Sequence, residues 1–519
     1  MAASAGTTRP AAPPVRGHWW KPSFADGFIL ALVIWTFISG PHGWISLLTD
    51  GDTGWHIRTG ETILETGQVP YTDPYSFSKP GQPWFAWEWL SDVGLAALHR
   101  VGGLKAVVWF SGVLIAAFAG VLLRYMMWKG ANAFVALVTT LVAVGACSIH
   151  FLARPHLTTL LFVPILAWMI EADRRSPSNR IWAWIPLFAL WTNLHGGFLA
   201  GIILLGAATV GTAIECLAAR RPLASAYRYA ILTAGCAAAT IVNPYGIELH
   251  RHVVTYLQSD WIREVVKEFQ APTFRGESAL EFEGLLILGL IAAAYLLREG
   301  RIVETLWIAG LAHMALGSQR HITLYASVAG PFVAALVSDW WNQSCAGKAK
   351  NSLGGIFGQL SRDLTPVFSW NSIWIGVAMI GMLALDGAAM HWPTDFTPVM
   401  FPTAILQKYK DRMAASRTLT TDQWGDYLIY HNPVRQKVFV DGRSDFYGRE
   451  VGGEYLQLVS AGHNWEKVMQ RWGFNFVVAP AEWPLTSLLK RSADWKLIED
   501  NGKVLVFSRE PGFGQGPKF

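Results

Sequence analysis

The chain of 519 residues is 52% hydrophobic and only 15% charged, with a formal net charge of +5. A soluble protein usually carries about 25% charged residues, so the polar surface that several soluble domains need is missing here. This composition excludes a disordered chain, a nucleic-acid binder built on a basic face and an ordinary cytosolic enzyme. It predicts an α-helical polytopic membrane protein.

Apolar runs recur along the chain at roughly 15–25 residues, the length that a helix needs to cross about 30 Å of hydrocarbon. They predict about eleven transmembrane helices, of which the fifth and sixth are close enough to form a tight hairpin. The predicted spans are 26–47, 104–123, 131–150, 156–172, 181–195, 197–217, 229–243, 282–297, 302–317, 321–340 and 372–391.

Lys and Arg side chains orient these spans. They are concentrated after the even-numbered spans, whereas the short odd-numbered exits hold little more than Arg154 and Arg320. The positive-inside rule then predicts a cytoplasmic N-terminus. The long loops 48–103 and 244–281 would lie outside, as would everything after residue 391. We expect a multi-pass protein of a bacterial-type inner, or plasma, membrane.

Composition also predicts three parts of the chain. Residues 1–25 are rich in Ala and Pro and predict a disordered cytoplasmic tail, because no short apolar core with a cleavage site precedes the first span. Residues 26–391 form the membrane module. Residues 392–519 differ in composition from the membrane module, and they predict a small extracytoplasmic α/β domain with its own core.

The predicted elements of the tail domain follow from local patterns. Segments 437–441 and 474–479 are apolar and predict buried strands, and 453–472 has helical spacing. Segments 495–499 and 504–507 flank Asp500-Asn501-Gly502, which predicts a β-hairpin.

The first external loop carries the strongest candidate chemistry. Asp50 and Asp52 lie at the outer end of the first span, and a helix that starts after Asp52 could simply be capped by it. His56 follows one turn later on the same face, where an imidazole and a carboxylate can share a proton or a metal ion. Further on, three Trp residues cluster around Glu88 at the entry to a second interfacial helix.

Two motifs in this loop carry a family resemblance. Asp50-Gly51-Asp52-Thr53-Gly54-Trp55-His56-Ile57-Arg58, followed by Asp73-Pro74-Tyr75, resembles the corresponding loop of the oligosaccharyltransferase catalytic subunit. An acidic residue at the end of span one is typical of the GT-C superfamily of membrane glycosyltransferases. The layout of two long external loops and a C-terminal external domain is similar as well. The resemblance therefore implies a GT-C-like fold.

The resemblance also implies an activity and its residues. GT-C enzymes transfer sugars from polyprenyl-phosphate donors on the non-cytoplasmic face. Asp52 would act as a base or bind a divalent metal such as Mg²⁺ or Mn²⁺, with His56 as a second possible ligand. Asp50, His56 and Glu88 are the further catalytic candidates. No nucleotide cofactor is indicated, because the sequence has no phosphate-binding Gly-x-x-x-x-Gly-Lys-Ser/Thr loop.

A tail motif bears on the acceptor. Gln423-Trp424-Gly425-Asp426-Tyr427 resembles the Trp-Trp-Asp-Tyr-Gly motif that reads acceptor sequons, although the order differs and the second Trp is absent. There is also no long loop with a catalytic Glu between spans nine and ten. These departures favour a relative that transfers a single sugar, or glycosylates a lipid or glycan. The predicted acceptor-binding residues are Trp55, Trp87, Asp426 and Tyr427.

Charged and polar residues at membrane depth predict a donor site, since such residues are costly there and usually functional. In the predicted topology they face the same side as Asp52. Arg and His donors suit the oxygens of a polyprenyl phosphate or pyrophosphate. The alternative is that Arg154 and Arg320 only anchor helix ends. The predicted phosphate-binding residues are Arg154, His156, His195, Arg320 and His321.

The rival hypothesis is a non-catalytic membrane protein, either a transporter of glycan or lipid or an assembly factor of the cell envelope. Inverted repeats would favour transport, and the sequence shows no convincing internal repeat. In the second long loop, residues 261–269 have helical spacing with charges opposite, which predicts an interfacial helix rather than a catalytic segment. The expected partners are a lipid-linked sugar, a lipid, glycan or protein acceptor, and the bilayer, but no nucleic acid.

Overall fold

The computed structural model describes residues 19–38, 43–276, 278–368, 372–385 and 390–509. Helices dominate these ranges. The α-helices are α1 Phe24–Phe37, α2 Asp52–Thr66, α3 Trp89–Trp128, α4 Ala133–Cys147, α5 His156–Arg175, α6 Trp184–Leu194, α7 Phe198–Ala218, α8 Ala224–Ala239, α9 Ile247–Gln258, α10 Asp260–Val265, α11 Ala279–Arg298, α12 Ile302–Gly317, α13 Ile322–Cys345, α14 Leu353–Val367, α15 Trp374–Ala384, α16 Thr403–Ala414, α17 Asp422–His431, α18 Ser444–Val459, α19 Trp465–Trp472 and α20 Pro484–Leu489. Short 3-10 helices lie at Gly43–Leu48, Ser148–His150, Asn179–Ala183, Lys267–Phe269 and Gln319–His321.

The predicted polytopic helical fold is confirmed. Each of the eleven predicted spans overlaps a helix. Within the described ranges, six helical segments are long and apolar enough to cross a membrane, and three further apolar helices are shorter. The six are Trp89–Trp128, Ala133–His150, His156–Arg175, Phe198–Ala218, Ala279–Arg298 and Gln319–Cys345.

The first predicted span, 26–47, is wrong in its length. Helix α1 ends at Phe37, and Gly43–Leu48 forms a separate 3-10 helix. The intervening sequence contains Gly40-Pro41, a pair that weakens a helix because glycine is flexible and proline lacks a backbone N–H. Residues 1–18, which make up most of the predicted disordered tail, and residues 39–42 lie outside the described part of the chain.

Helix α2 lies against the first part of α3. It ends at Gly67, whose φ of 69° is the left-handed conformation that glycine adopts easily. Helix α3 is broken at Gly102 and Gly103, so its first arm packs on α2 and its second part enters the bundle. At Gly60, a Cβ atom would lie 1.9 Å from the backbone oxygen of Asp92. The α3 backbone therefore occupies the space that a side chain at position 60 would need.

The predicted hairpin of the fifth and sixth spans is confirmed. Helix α6 ends at Leu194, and α7 begins at Phe198 after the short turn His195-Gly196-Gly197. The Asn193 side chain fixes the end of α6, because its amide donates to the backbone oxygens of Ala189 and Val242, both at 2.7 Å. The turn therefore holds His195 in a defined position beside the end of α8.

The tail domain has a four-stranded sheet. Its strands are β1 Thr418–Leu419, β2 Phe476–Pro480, β3 Trp495–Asp500 and β4 Val504–Arg509, in the order β1-β2-β4-β3. The predicted hairpin is the antiparallel pair β3 and β4, and the second predicted strand corresponds to β2. Helices α16 to α20 complete the domain, which confirms the α/β prediction.

The predicted strand 437–441 does not join this sheet. Its backbone pairs instead with the first loop, through one parallel bridge between Ser76 and Val438. Phe77 N–H donates to the oxygen of Val438 at 2.9 Å, and Val438 N–H donates to the oxygen of Tyr75 at 3.1 Å. The segment is apolar because the loop covers one side and the domain covers the other, burying Phe439 as well.

One end of the bundle thus gathers three long segments, and we call this end the loop face. It comprises the first loop 49–88, the second loop 243–278 and the tail domain 390–509. The second loop reaches the tail domain through Trp261, whose indole N–H donates to the backbone oxygen of Ser444 at 3.3 Å. Lys129 and Glu171, paired at 2.6 Å, lie at the opposite end.

Substitution of Gly60 by alanine tests the close packing of α2 on α3. The added Cβ must displace the Asp92 backbone, and overpacking of this kind typically costs about 1–3 kcal/mol. We expect Gly60→Ala to lower the Tm of the purified protein. Gly94→Ala on α3 is the control, since nothing lies within 4 Å of its Cβ position. Equal Tm values for the two variants would contradict the observed contact.

Candidate active site

Arg154 joins two predicted catalytic residues at the loop face. It lies in the turn before α5, and its guanidinium contacts Asp50 Oδ2 at 2.7 Å and Asp52 Oδ2 at 2.5 Å. The turn is docked on α2, because Thr53 Oγ1 donates to the backbone oxygen of Ala153 at 3.1 Å. Burial alone would lower the pKa of Arg154, but the two carboxylates raise it well above its ordinary value.

Asp50 and Asp52 have different roles at the start of α2. Asp50 caps the start of α2, because its Oδ1 accepts the backbone N–H of Asp52 at 3.0 Å. The N-cap position itself is Gly51, and Asp52 makes no side-chain cap bond there. The capping role considered for Asp52 therefore belongs to Asp50, and the Asp52 carboxylate is left for other contacts.

Asp52 carries an oxygen without a partner. The residue is 6% exposed, and its Oδ1 has no donor in hydrogen-bond geometry within the described ranges, although the Trp55 side chain lies close enough to lower the pKa of the carboxylate. Burial raises the pKa of Asp52 to about 7, although the positive charge of Arg154 opposes the shift. A buried carboxylate with such a pKa can take up a proton near neutral pH.

The tail domain supplies the wall opposite Asp52. A Cβ on Gly442 would lie 1.8 Å from Asp52 Oδ1 and 3.0 Å from Asp426 Oδ2, so only glycine fits between the two carboxylates. Gly442 N–H donates to both oxygens of Asp426, at 3.1 and 3.2 Å. Burial and the neighbouring charge of Asp52 raise the pKa of Asp426 well above its ordinary value.

His56, Glu88 and His195 form a second polar group next to these carboxylates. His56 Nδ1 is 2.6 Å from Asp92 Oδ1, and its Nε2 faces Glu88 Oε2 at 3.6 Å. The other oxygen of Glu88 lies 3.4 Å from His195 Nε2. Burial raises the pKa of Glu88 to about 7, and burial lowers the pKa of His56 well below its usual range.

The tautomer of His195 follows from its contacts. Its Nδ1 accepts the backbone N–H of Gly197 at 3.0 Å and lies 2.8 Å from Thr159 Oγ1, which itself accepts the indole N–H of Trp191. Nδ1 is therefore an acceptor, and the proton of the neutral ring sits on Nε2, pointing at Glu88. Glu88 thus lies between His195 Nε2, which carries a proton, and His56 Nε2, which can accept one.

A cationic group lies beside Arg154. Arg320 contacts Glu268 Oε1 at 3.6 Å and the hydroxyl of Tyr256 at 3.3 Å. His150 Nε2 is 3.8 Å from the other oxygen of Glu268, and the rings of His150 and His156 are 5.8 Å apart. Burial would raise the pKa of Glu268, but Arg320 and Arg154 hold it at about 2. We call Arg154, Arg320, His150 and His156 the cationic cluster; the two arginines carry its positive charge, and His156 Nε2 lies 2.6 Å from the backbone oxygen of His150.

Several predicted site residues lie at the edge of this region or face away. His321 Nδ1 is 3.2 Å from the backbone oxygen of Met314, and Tyr427 donates from its hydroxyl to Asp395 at 2.8 Å. Trp55 is buried and stacks on His56. Trp87 packs edge-on against Tyr256 in the second loop. The site roles of these residues stay predictions.

Asp92, His150, Glu268 and Gly442 are not among the site residues that the sequence predicts. Asp92 follows Glu88 by one helical turn, a spacing that could have indicated a shared face. His150 precedes Arg154 by the same interval. Glu268 was assigned to the charged face of an interfacial helix, and no local signal shows that Arg320 opposes it.

A buried arginine locks the first loop to the tail domain. Arg443 pairs with Asp441 at 2.6 Å and with Asp73 at 2.8 Å, and its side chain is only 2% exposed. Its guanidinium also lies over the rings of Tyr75 and Trp84. Asp441 is local to Arg443 in the chain, whereas the contact with Asp73 links two distant segments.

Comparisons with known proteins place the fold. No family model and no curated protein matches the sequence. The oligosaccharyltransferase AglB of Archaeoglobus fulgidus has a similar structure, with a TM-score of 0.53 and 12% identity over 95% of this chain and 74% of its own. Its apo form gives a TM-score of 0.52 at 12% identity, over 88% of this chain and 69% of its own. This chain has the GT-C fold.

A second GT-C structure supports the same assignment. The arabinofuranosyltransferase AftD from Mycobacteria matches with a TM-score of 0.51 and 12% identity. The match covers 95% of this chain but 40% of AftD, which is therefore a much longer protein. The GT-C resemblance seen in the first loop is thereby confirmed at the level of the fold.

Loss of the Arg443 side chain tests the lock in this GT-C fold. Arg443→Ala leaves Asp73 and Asp441 buried without their counter-charge, and breaking a buried pair in this way costs about 3–5 kcal/mol. We expect a lower Tm and faster proteolysis between the first loop and the tail domain. Arg449→Ala is the control, because its pair with Glu264 is 65% and 61% exposed. Similar losses in both variants would contradict the lock.

Proposed function

We propose that this chain is a membrane glycosyltransferase that moves a sugar from a polyprenyl-phosphate donor to an acceptor hydroxyl at the loop face. The observation that carries the proposal is the free, buried oxygen of Asp52 beside the cationic cluster. The GT-C fold supports it. So does AglB, which has been solved with an inhibitory peptide and a dolichol-phosphate.

In this proposal the cationic cluster receives the donor phosphate. Arg154, Arg320 and the two histidines lie at the ends of α4, α5 and α13, where the apolar spans meet the loop face. A lipid tail can therefore stay in the hydrocarbon while its phosphate reaches the arginines. Guanidinium groups suit phosphate oxygens because they donate several hydrogen bonds in a fixed plane.

Asp52 acts as the base in this scheme. The acceptor oxygen attacks the anomeric carbon while its proton passes to the free oxygen of Asp52. The new carbon–oxygen bond forms as the bond from that carbon to the phosphate oxygen breaks. Polyprenyl phosphate leaves with the electron pair, and the cationic cluster stabilises its charge. Glu88, held between His56 and His195, is the second candidate for proton transfer.

The divalent metal predicted from the sequence stays a prediction. Asp52 and Asp426 are the carboxylates that would hold it, since both face Gly442. His56 fits poorly as a ligand, because its two ring nitrogens face Asp92 and Glu88. No group of three or more His, Cys, Asp or Glu in the described residues is arranged to hold a metal ion. The scheme above therefore contains no step through a metal.

We further propose that the loop face is extracytoplasmic in a bacterial-type inner membrane. The opposite end carries a group of basic residues, in which Glu171 binds Lys129 at 2.6 Å, Arg175 at 2.8 Å and Arg301 at 3.1 Å. Basic residues at that end agree with a cytoplasmic location. The acceptor would then be a lipid, glycan or protein of the cell envelope.

Replacement of the proposed base is the direct test. Asp52→Asn keeps the shape of the side chain and its place beside Arg154 but removes the proton acceptor. General-base catalysis contributes about 10²–10⁴-fold, so we expect a loss of that order in sugar transfer. The assay uses purified protein with a panel of polyprenyl-phosphate sugars and follows release of polyprenyl phosphate.

Asp260→Asn is the matched control. Asp260 lies in the second loop, and its side chain is 81% exposed. It should transfer sugar as fast as the unchanged protein. Wild-type transfer by a folded Asp52→Asn variant would remove Asp52 from the mechanism.

A further inference from the structure

Glu268 occupies the centre of the cationic cluster in this structure. It reaches the cluster from the 3-10 helix Lys267–Phe269 of the second loop. One oxygen faces Arg320 and the other faces His150, at 3.6 and 3.8 Å. A single carboxylate therefore sits where the proposed function places the donor phosphate.

These contacts are too long for hydrogen bonds. A charge-assisted N–H···O bond measures about 2.7–2.9 Å, so Glu268 balances charge without satisfying the donors. Two buried nitrogens of the cluster, Arg154 Nε and His150 Nδ1, have no hydrogen-bond partner in the described part of the chain. A tetrahedral phosphate carries more acceptor oxygens and can approach more of these groups at once.

The backbone of Glu268 is fixed, whereas its side chain has room to move. Ser318 Oγ donates to the Glu268 backbone oxygen at 2.9 Å, and Gln319 N–H donates to the Gln270 oxygen at 2.9 Å. The side chain is 37% exposed. Rotation of the side chain alone can thus empty the cluster without moving the loop.

We propose that the Glu268 carboxylate is an internal competitor of the donor phosphate and must leave the cluster when the donor binds. The proposal rests on the proposed function. It assigns Glu268 a role in affinity: the carboxylate neutralises the arginines in the empty site, and each binding event exchanges one negative group for another. A lipid phosphate therefore binds more weakly than the cluster alone would allow.

Glu268→Gln tests this exchange. The amide keeps the size of the side chain but removes the competing charge. We expect undecaprenyl phosphate without a sugar to bind purified full-length Glu268→Gln about tenfold more tightly than the unchanged protein, the order of one charge-assisted contact. The measurement is a titration of Kd in detergent. A purely structural role of Glu268 would weaken binding, so the direction of the change is decisive.

Glu248→Gln on α9 is the matched control, because this glutamate is 55% exposed and pairs with the exposed Arg251. Its Kd should equal that of the unchanged protein. If the glutamine variant does not fold, Glu268→Asp replaces it in the test, because the shorter side chain holds its carboxylate one methylene farther from the cluster. We expect it to bind about threefold more tightly.

The outcomes separate the two proposals. Tighter binding by the Glu268 variants supports the competitor. Binding of undecaprenyl phosphate by the unchanged protein, with equal or weaker binding by the variants, overturns the competitor and leaves the proposed function standing. No binding by any of the proteins overturns the proposed function, and the competitor falls with it.

Discussion

The loop face depends on the ion triplet of Arg154 with Asp50 and Asp52. A partly buried arginine at the edge of hydrocarbon is costly without a partner, so its pairing with the two carboxylates fixes the start of α2. Once α2 is fixed, His56 faces Asp92 and Glu88, and Asp52 meets the tail domain at Gly442. The free oxygen of Asp52 remains because Arg154 takes only the other one.

Local sequence patterns predict the features that depend on interactions between residues close together in the chain. The positions of the apolar helices and the Asn501-Gly502 hairpin depend on neighbours in the chain, and the structure confirms them. The 437–441 segment looked like a sheet strand because its residues are apolar. Its cover is the distant first loop, which no periodicity reveals. Glu268 looked solvated for the same reason, since Arg320 is distant in sequence.

The tail domain contributes Asp426 and Gly442 to the candidate site. Two predicted acceptor-binding residues of this domain, Asp426 and Tyr427, are neighbours in the sequence but differ in direction. Asp426 faces Asp52, whereas Tyr427 faces Asp395. Adjacent positions on a helix point about 100° apart, so a motif can place one side chain in a site and its neighbour in the core.

Pairing of the first loop with the tail domain has a thermodynamic consequence. Tyr75 and Trp84 of the loop belong to the same buried cluster as Val440 of the domain and Leu104 of the bundle. Elements that share one core open together rather than one by one. The first loop, the tail domain and the bundle therefore share one core, and loosening the contact of the first loop with the tail domain also loosens the packing of Gly442 against Asp52.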